Sequence, residues 1–301
     1  MKDINKKRLW ALGLIEAEGY IEFNVNSGKG TDKEKWLFTI KVAMHRRNSR
    51  AVYRLKEIYG VGKIHVDKFG MCVYKITDSN ILRNVIVPIL DENPPRGVKY
   101  HEYIIFKKGL DVMKDDTLTR PEKLSKMRVL KEESHKIIEI SPIVCDAPET
   151  KKAEEVIDSL SVDHLKRIYP SSWIAAFIEG DGSFQINDRL QTVFEIGQMK
   201  DKMVIYALHK IFNLPSKIKI REDGYTTIST KFPRVLEEIM ELLKGEMLGM
   251  KSFEYEIWCK AYRTKDETKK LRAKKLLEKL RKAELEEEES VVQKEIDLLS
   301  E

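Results

Sequence analysis

The stretch Trp173-Ile174-Ala175-Ala176-Phe177-Ile178-Glu179-Gly180-Asp181-Gly182-Ser183-Phe184 decides the fold, because it has a twin near the amino terminus, Trp10-Ala11-Leu12-Gly13-Leu14-Ile15-Glu16-Ala17-Glu18-Gly19-Tyr20-Ile21. Each copy predicts one short helix. Small residues stand four apart, Gly13 and Ala17 in the first copy, Ala176 and Gly180 in the second, so each helix carries a stripe that another backbone can approach closely. A carboxylate follows, Glu18 or Asp181. A glycine comes next, Gly19 or Gly182, expected to end the helix in a left-handed conformation. Packing the two stripes together would bring Glu18 and Asp181 side by side at one end of a two-helix seam. Carboxylates held close in an apolar seam repel each other; a polyvalent cation relieves this, and hard oxygen ligands suit Mg²⁺.

Outward from each copy the chain runs through the same order of elements. After the first, Tyr20 to Asn26 alternates apolar and polar residues as a half-buried strand does, and Gly28 to Lys33 reads as a hairpin loop. Trp36 to Met44 predicts the returning strand, Asn48 to Tyr59 a helix closed by Gly60-Val61-Gly62, and Lys63 to Lys68 and Met71 to Thr77 two further strands before a helix from Asn80 to Leu90. The second copy opens a matching series: strands Gly182 to Asn187 and Leu190 to Gln198, a helix Lys202 to Phe212, and strands Ser216 to Arg221 and Tyr225 to Thr230. Late in each half, Gly97-Val98-Lys99-Tyr100 corresponds to Gly249-Met250-Lys251-Ser252. The next helix starts agree as well, Thr119-x-x-Glu122 and Thr264-x-x-Glu267, both spaced as a capping box. Two halves with one plan imply a pseudo-dimer about the motif helices.

These boundaries divide the chain into an amino-terminal half (1–139), a linker (140–164) with Pro142, Pro148 and a run of Glu and Lys, a carboxyl-terminal half (165–262) and a charged helical extension (263–301). The extension is expected to be a solvent-facing helix, with a contact to flanking DNA as the other reading. At 301 residues the chain can bury a real core. It is 42% hydrophobic and 35% charged, without an apolar run long enough for a membrane span or a secretory leader at Met1-Lys2-Asp3, so a soluble protein without a membrane partner is expected. Cys72, Cys145 and Cys259 lie far apart and show no metal-ligand spacing. The net charge of +6 permits a polyanionic partner. Gln occurs only at 185, 191, 198 and 293, while Lys, Glu and Ile abound. That balance resembles thermophile proteomes and points to an archaeal cytoplasm, with a mitochondrion or chloroplast as the alternative.

The paired segments resemble the two motifs of the double-motif LAGLIDADG homing endonucleases, and the resemblance covers residues 6 to 262. It departs from the commonest pattern in Glu18, where Asp is usual, and in Gly180, where Ala is usual. The resemblance implies an α+β protein of two pseudo-symmetric αββαββα halves packed through the motif helices, a saddle of antiparallel sheets on duplex DNA. It implies that the last acidic residue of each motif, Glu18 and Asp181, binds the catalytic divalent metal, with Ala17 and Gly180 beside them in the metal site. Mg²⁺ would serve, Mn²⁺ could substitute, and Ca²⁺ would bind without supporting cleavage. A basic residue near each centre falls by position on Lys99 and Lys251, and a water-ordering polar residue at the end of the second strand on His45 and Gln198. Glu16 and Glu179 read as supporting residues at the helix ends.

The strand residues that do not alternate into the core form an inventory suited to nucleic acid. The first half offers Glu22, Asn24, Asn26, Thr39, Lys41, Lys63, His65, Lys75 and Thr77. The second offers Ser183, Gln185, Asn187, Arg189, Gln191, Lys217, Lys219, Arg221, Tyr225, Thr227 and Ser229. Such a set mixes phosphate binders with groups able to read base edges, although any antiparallel sheet also has a solvated polar face. The reading is a monomer acting as a pseudo-dimer, an intron-encoded, site-specific endonuclease that cuts both strands of a long asymmetric DNA target. The alternative is an intron RNA splicing maturase on the same scaffold, with its own intron RNA as partner.

Overall fold

Gly13 and Gly180 set the axis of the molecule. In the computed structural model, which describes residues 2–27, 34–135, 140–145, 152–282 and 289–299, the motif helices are α1 (Lys2–Glu18) and α9 (Ser171–Asp181). A Cβ at Gly13 would collide with the carbonyl oxygen of Trp173 and lie 3.1 Å from Ala176 Cβ, and one at Gly180 would lie 2.5 Å from Ala17 Cβ. The small stripes therefore meet backbone to backbone. Around them Trp10, Leu14, Trp173, Ile174 and Phe177 are buried, each large side chain contributing roughly 1.5–3 kcal/mol through removal from water.

The glycines that follow the motifs work differently from the expectation. Gly182 is extended, at φ −78° and ψ 158°, and Gly19 is not among the residues of positive φ. Glycine is needed there because the chain enters a strand directly, and an added Cβ would come 2.5 Å from Ile15 O at Gly19 and 2.5 Å from Ile178 Cγ2 at Gly182. The left-handed turn occurs instead at Gly60, at φ 69°, where it closes α2 (Ser49–Tyr59).

Each motif helix feeds a four-stranded antiparallel sheet. The first comprises β1 (Gly19–Ser27), β2 (Glu34–His45), β3 (Lys63–Val66) and β4 (Met71–Ile76) in the order β1-β2-β4-β3. The second comprises β5 (Gly182–Ile186), β6 (Thr192–Gln198), β7 (Lys219–Ile220) and β8 (Thr226–Thr230) in the order β5-β6-β8-β7. The loop expected at Gly28 to Lys33 lies outside the described residues. Phe23, Phe38, Ile40, Val42 and Met44 in the first sheet, and Phe184, Phe194 and Ile196 in the second, face the helices and are buried. The other face of each sheet holds the polar inventory.

The remaining helices cover the sheets. In the helix expected at Asn80 to Leu90, α3 (Ser79–Ile81) passes through a π-helical turn, Leu82–Ile86, into α4 (Val87–Glu92). Pro88 in its first turn has no N–H to continue an α-helical ladder. Then come α5 (Lys99–Lys114) and α6 (Arg120–Glu133), the latter opened by the expected capping box of Thr119 and Glu122. Within the span read as a linker stand α7 (Ala153–Ser159) and the start of α8 (Val162–Ile168), whose Val156, Ile157 and Leu165 join the core. The second half adds α10 (Lys202–Ile211), α11 (Pro233–Leu243) and α12 (Lys251–Arg263).

The charged extension is part of the fold. It forms α13 (Glu267–Lys282) and α14 (Glu289–Asp297), and Ala273, Leu276, Leu277, Val292 and Ile296 pack against Ile186, Phe253, Ile257 and Ala261. A helix cannot be wholly solvent-facing when its apolar stripe has such a partner. The cap of α13 is Asp266, whose carboxylate accepts from the N–H groups of Thr268 and Lys269, in place of the Thr264 expected from the spacing. No helix among the described residues is long and apolar enough to cross a membrane.

Candidate metal centre and nucleic-acid interface

Glu18 and Asp181 end the two helices that touch, so the seam brings them together. Across it, a Cβ at Gly180 would lie 3.0 Å from Glu18 Cγ and 3.7 Å from its Oε1. Burial pushes the Asp181 carboxyl up to about 7, and the neighbouring charge of Glu18 adds to the effect. Gln198, which donates Nε2 to Asp181 Oδ2 at 2.5 Å, opposes it, as do Lys251 and Lys99. Burial raises Glu18 as well, against the pull of Lys251 and Lys99. These two anions are short of positive charge.

The donor set fits a hard divalent cation. The described residues hold no group of three or more His, Cys, Asp or Glu side chains able to enclose an ion. Two carboxylates at an accessible edge suit a cation such as Mg²⁺, which keeps waters and takes phosphate oxygens to complete its shell. Of the two small residues included with the carboxylates, Gly180 has a carbonyl that already accepts from Lys251 Nζ at 2.8 Å, and Ala17 packs against Gly180 across the seam.

Glu16 and Glu179 have a definite task that sequence reasoning left open. Both are buried. Glu16 Oε2 accepts from the backbone N–H groups of Arg96 at 2.8 Å and Gly97 at 2.7 Å, while its Oε1 takes Trp173 Nε1 from the opposite motif helix at 2.9 Å. Glu179 accepts from Gly249 N at 3.1 Å and Lys251 N at 2.8 Å. Each carboxylate thus caps the start of the helix that carries the candidate lysine, α5 for Lys99 and α12 for Lys251. The signal was present in the sequence as the matched spacing of Glu16 to Glu18 and Glu179 to Asp181. What these carboxylates would meet, some 70–80 positions away, was not.

The lysines follow from those caps. Lys251 Nζ donates to the carbonyls of Ile178 at 3.2 Å and Gly180 at 2.8 Å, and burial lowers its pKa despite the nearby Glu179, Glu254, Asp181 and Glu18. Lys99 lies close enough to lower the pKa values of Glu18 and Asp181. Asp201, which the sequence did not single out, caps the same region from the second half. It is buried, accepts from Val98 N at 3.1 Å, and is pushed up to about 7 by burial and by Glu16.

His45 and Gln198 do not occupy equivalent places. Gly19 pairs with Val42 and Gly182 with Ile196, so the counterpart of Gln198 is Met44. His45 stands one residue further on, on the opposite face of the strand, exposed, with its Nδ1 accepting from Arg47 N. A one-residue shift exchanges faces, and the spacing alone could not reveal it.

Of the strand-face residues, Thr39 is buried, which corrects its assignment: between Glu22 and its neighbours it has no free surface to offer DNA. The others reach solvent. Tyr20, Lys41, Lys75 and Lys63 stand in one row across the first sheet, Lys41 opposite Lys75 and Lys75 opposite Lys63. Glu22, Asn24 and Asn26 line β1, with Asn24 accepting from Lys131; His65 is exposed on β3, and Thr77 follows β4. In the second sheet, Ser183 and Gln185 bond each other and Asn187 orders the hairpin by accepting from Arg189 N and Gln191 N. Lys217 and Lys219 are exposed, Arg221 lies on the Tyr225 ring, Thr227 donates to Ile196 O, and Ser229 is partly exposed.

A family model described as "LAGLIDADG endonuclease" matches residues 11–110 and 174–262, one span in each half. Among curated proteins, "Probable intron-encoded endonuclease Cox1-I1b" of Schizosaccharomyces pombe is 25% identical over 284 residues, covering 90% of this chain and 68% of that protein. Among solved structures, I-SmaMI bound to uncleaved DNA in the presence of calcium ions is similar at a TM-score of 0.67 and 19% identity, over 97% of each chain. I-LtrWI bound to target DNA is similar at a TM-score of 0.69 and 18% identity, over 94% of this chain and 99% of that one. At these identities the solved structures speak for the fold, two pseudo-symmetric halves with antiparallel sheets.

Proposed function

We propose that this chain, which belongs to the LAGLIDADG endonuclease family, is an intron-encoded homing endonuclease that hydrolyses both strands of a long, asymmetric DNA duplex with divalent metal ions, Mg²⁺ first among them. The observation that carries the reading is the meeting of Glu18 and Asp181 at the end of the seam, both with pKa values raised by burial. The presence of both carboxylates favours a nuclease over a maturase that only binds RNA. The I-SmaMI and I-LtrWI structures, described as bound to DNA, support duplex DNA as the partner, and the calcium in the former supports a divalent metal. The similar fungal protein is named as intron-encoded, which supports the mitochondrial alternative in place of an archaeal cytoplasm.

In this reading Glu18 and Asp181 hold the metal, and Gln198 fixes one oxygen of Asp181. An ion held there would supply Lewis acidity at phosphate oxygens and lower the pKa of water. Glu16 and Glu179 hold the starts of α5 and α12, and so set where Lys99 and Lys251 present their ammonium groups to the phosphates. The lysine row of the first sheet meets the backbone, while Asn, Gln and Arg side chains on both sheets read base edges.

Incubating the protein with a randomised duplex library in Mg²⁺ tests this. Cut ends should converge on one long site, with no cutting in Ca²⁺. Asp181→Asn should abolish double-strand cleavage while duplex affinity in Ca²⁺ stays within about threefold, since a metal ligand acts mainly on the transition state. Full cleavage by that variant would remove Asp181 from the mechanism.

A further inference from the structure

The hairpin between β3 and β4 carries an aromatic ring that its own geometry does not require. Its three-residue loop, Lys68-Phe69-Gly70, is closed by Asp67 N donating to Met71 O at 2.9 Å and Gly70 N donating to Asp67 O at 3.1 Å, with Gly70 left-handed at φ 77°. Asp67 Oδ1 accepts from the N–H groups of Phe69 and Met71, and Arg46 N donates to Gly70 O, so the tip is held on both sides. The matching loop of the second half, Glu222-Asp223-Gly224, is closed by the same pair of bonds, Arg221 N to Tyr225 O and Gly224 N to Arg221 O, and by the same left-handed glycine. Asp223 stands there in the place of Phe69. A polar residue therefore satisfies this turn, yet Phe69 is 76% exposed, more than any other large apolar side chain among the described residues. Lys68 Nζ lies 5.0 Å from the centroid of its ring.

Register fixes where this tip stands. Gly19, which follows Glu18, pairs with Val42, and three residues further along β2 His45 pairs with Met71. The loop thus lies at the end of the first sheet nearest the candidate metal centre, two strands across from β1 or about 10 Å to one side. We infer that Phe69 is a wedge that enters the duplex between two base pairs, partly unstacks them and kinks the DNA, while Lys68 meets the adjoining phosphate. Apolar side chains act in this way in proteins that bend DNA, where the surface gained by the kink offsets the unstacking. A tip already held by hydrogen bonds loses little freedom on entering the stack. Unstacking costs least at pyrimidine–purine steps. Phe69 therefore selects such a step at one fixed position of the target without a hydrogen bond to any base. Asp223 cannot do the same, so the requirement falls on one half of the site only. The inference deepens the reading above and rests on its choice of duplex DNA as partner.

The test selects duplexes from the randomised library by binding to the full chain in Ca²⁺, so that its outcome does not depend on cleavage. The wild-type pool should carry a pyrimidine–purine step at one position in one half of the site. Phe69→Ala should lose the preference at that step alone, and Phe69→Leu, which keeps an apolar wedge, should retain most of it. With 2-aminopurine placed in turn along the selected duplex, the wild type should raise its fluorescence at that step and Phe69→Ala should not. Phe69→Ala should also bind this duplex about tenfold more weakly. Its melting temperature should not change, because the ring it loses is exposed. A preference and a fluorescence signal that survive Phe69→Ala would overturn the wedge, whether or not the protein cuts DNA in Mg²⁺. A selected and unstacked duplex that is never cut in Mg²⁺ would refute the nuclease reading and leave the wedge in place. Recovery of no duplex in Ca²⁺ would overturn both.

Discussion

Asp201 is a buried carboxylate with one oxygen engaged by Val98 N–H and the other, Oδ1, without a hydrogen-bond partner among the described residues. Its pKa is pushed from 3.8 up to about 7, first by burial and then by Glu16. Folding therefore favours the protonated form, so the stability this group contributes is whole below about pH 4 and is lost as pH rises through about 7. Asp181 shifts in the same direction. Without divalent ions the protein should thus be less stable at pH 8 than at pH 5. Asp201→Asn, which keeps an acceptor for Val98 N–H, should flatten that difference by on the order of 2–4 kcal/mol, read from denaturant midpoints at the two pH values. An unchanged pH profile in the variant would show that Asp201 does not titrate in this range. At the same scale, Glu16 and Glu179 show what a sequence leaves unsaid. Their type and spacing mark them as part of the motif, but a buried carboxylate is interpretable only once its donors are known, and those are backbone N–H groups at Arg96, Gly97, Gly249 and Lys251.

The seam between α1 and α9 depends on glycine at a single backbone contact. The atom a Gly13 Cβ would strike is a carbonyl oxygen of Trp173, which cannot swing aside as a side-chain end could. Gly13→Ala should therefore force the helices apart and destabilise the protein by about 1–3 kcal/mol, and it should reduce cleavage through the displaced carboxylates. Thermal melting together with the cleavage assay measures both; unchanged stability would mean that the seam yields. The stripe of small residues was legible because four-residue spacing puts Gly13 beside Ala17, and Ala176 beside Gly180, whatever the rest of the chain does. The cap of α13 was less so. Thr264 and Glu267 have the spacing of a capping box, yet Asp266 outcompetes Thr264 for the free N–H groups.

Across the whole molecule, a net charge of +6 says little, but its arrangement says more. Lys41, Lys75 and Lys63 face one another on adjacent strands, a placement that costs stability in the free protein and is relieved by a polyanion. Lys75→Ala should lower duplex affinity uniformly across sequences and reduce the slope of log K against log salt by about 0.9, without loss of stability. A slope unchanged by the substitution would remove Lys75 from the phosphate contacts. The basic row could be assembled only after strand order was known, since β4 lies between β2 and β3 although it follows both in sequence.

The sequence by itself determined the two halves, the paired motif helices with a carboxylate at the end of each, and the strands that follow them. Those features rest on periodicity and spacing within short windows, where each residue's neighbours are set by local geometry. Only the tertiary structure decided that Met44 and not His45 answers to Gln198, that Thr39 is covered, that α13 and α14 complete a second apolar cluster, and that Asp201 and the two buried glutamates hold the lysine-bearing helices. These depend on register and on contacts between distant parts of the chain. A shift of one residue in a strand exchanges its faces, and nothing in the local pattern records which register the packing will select.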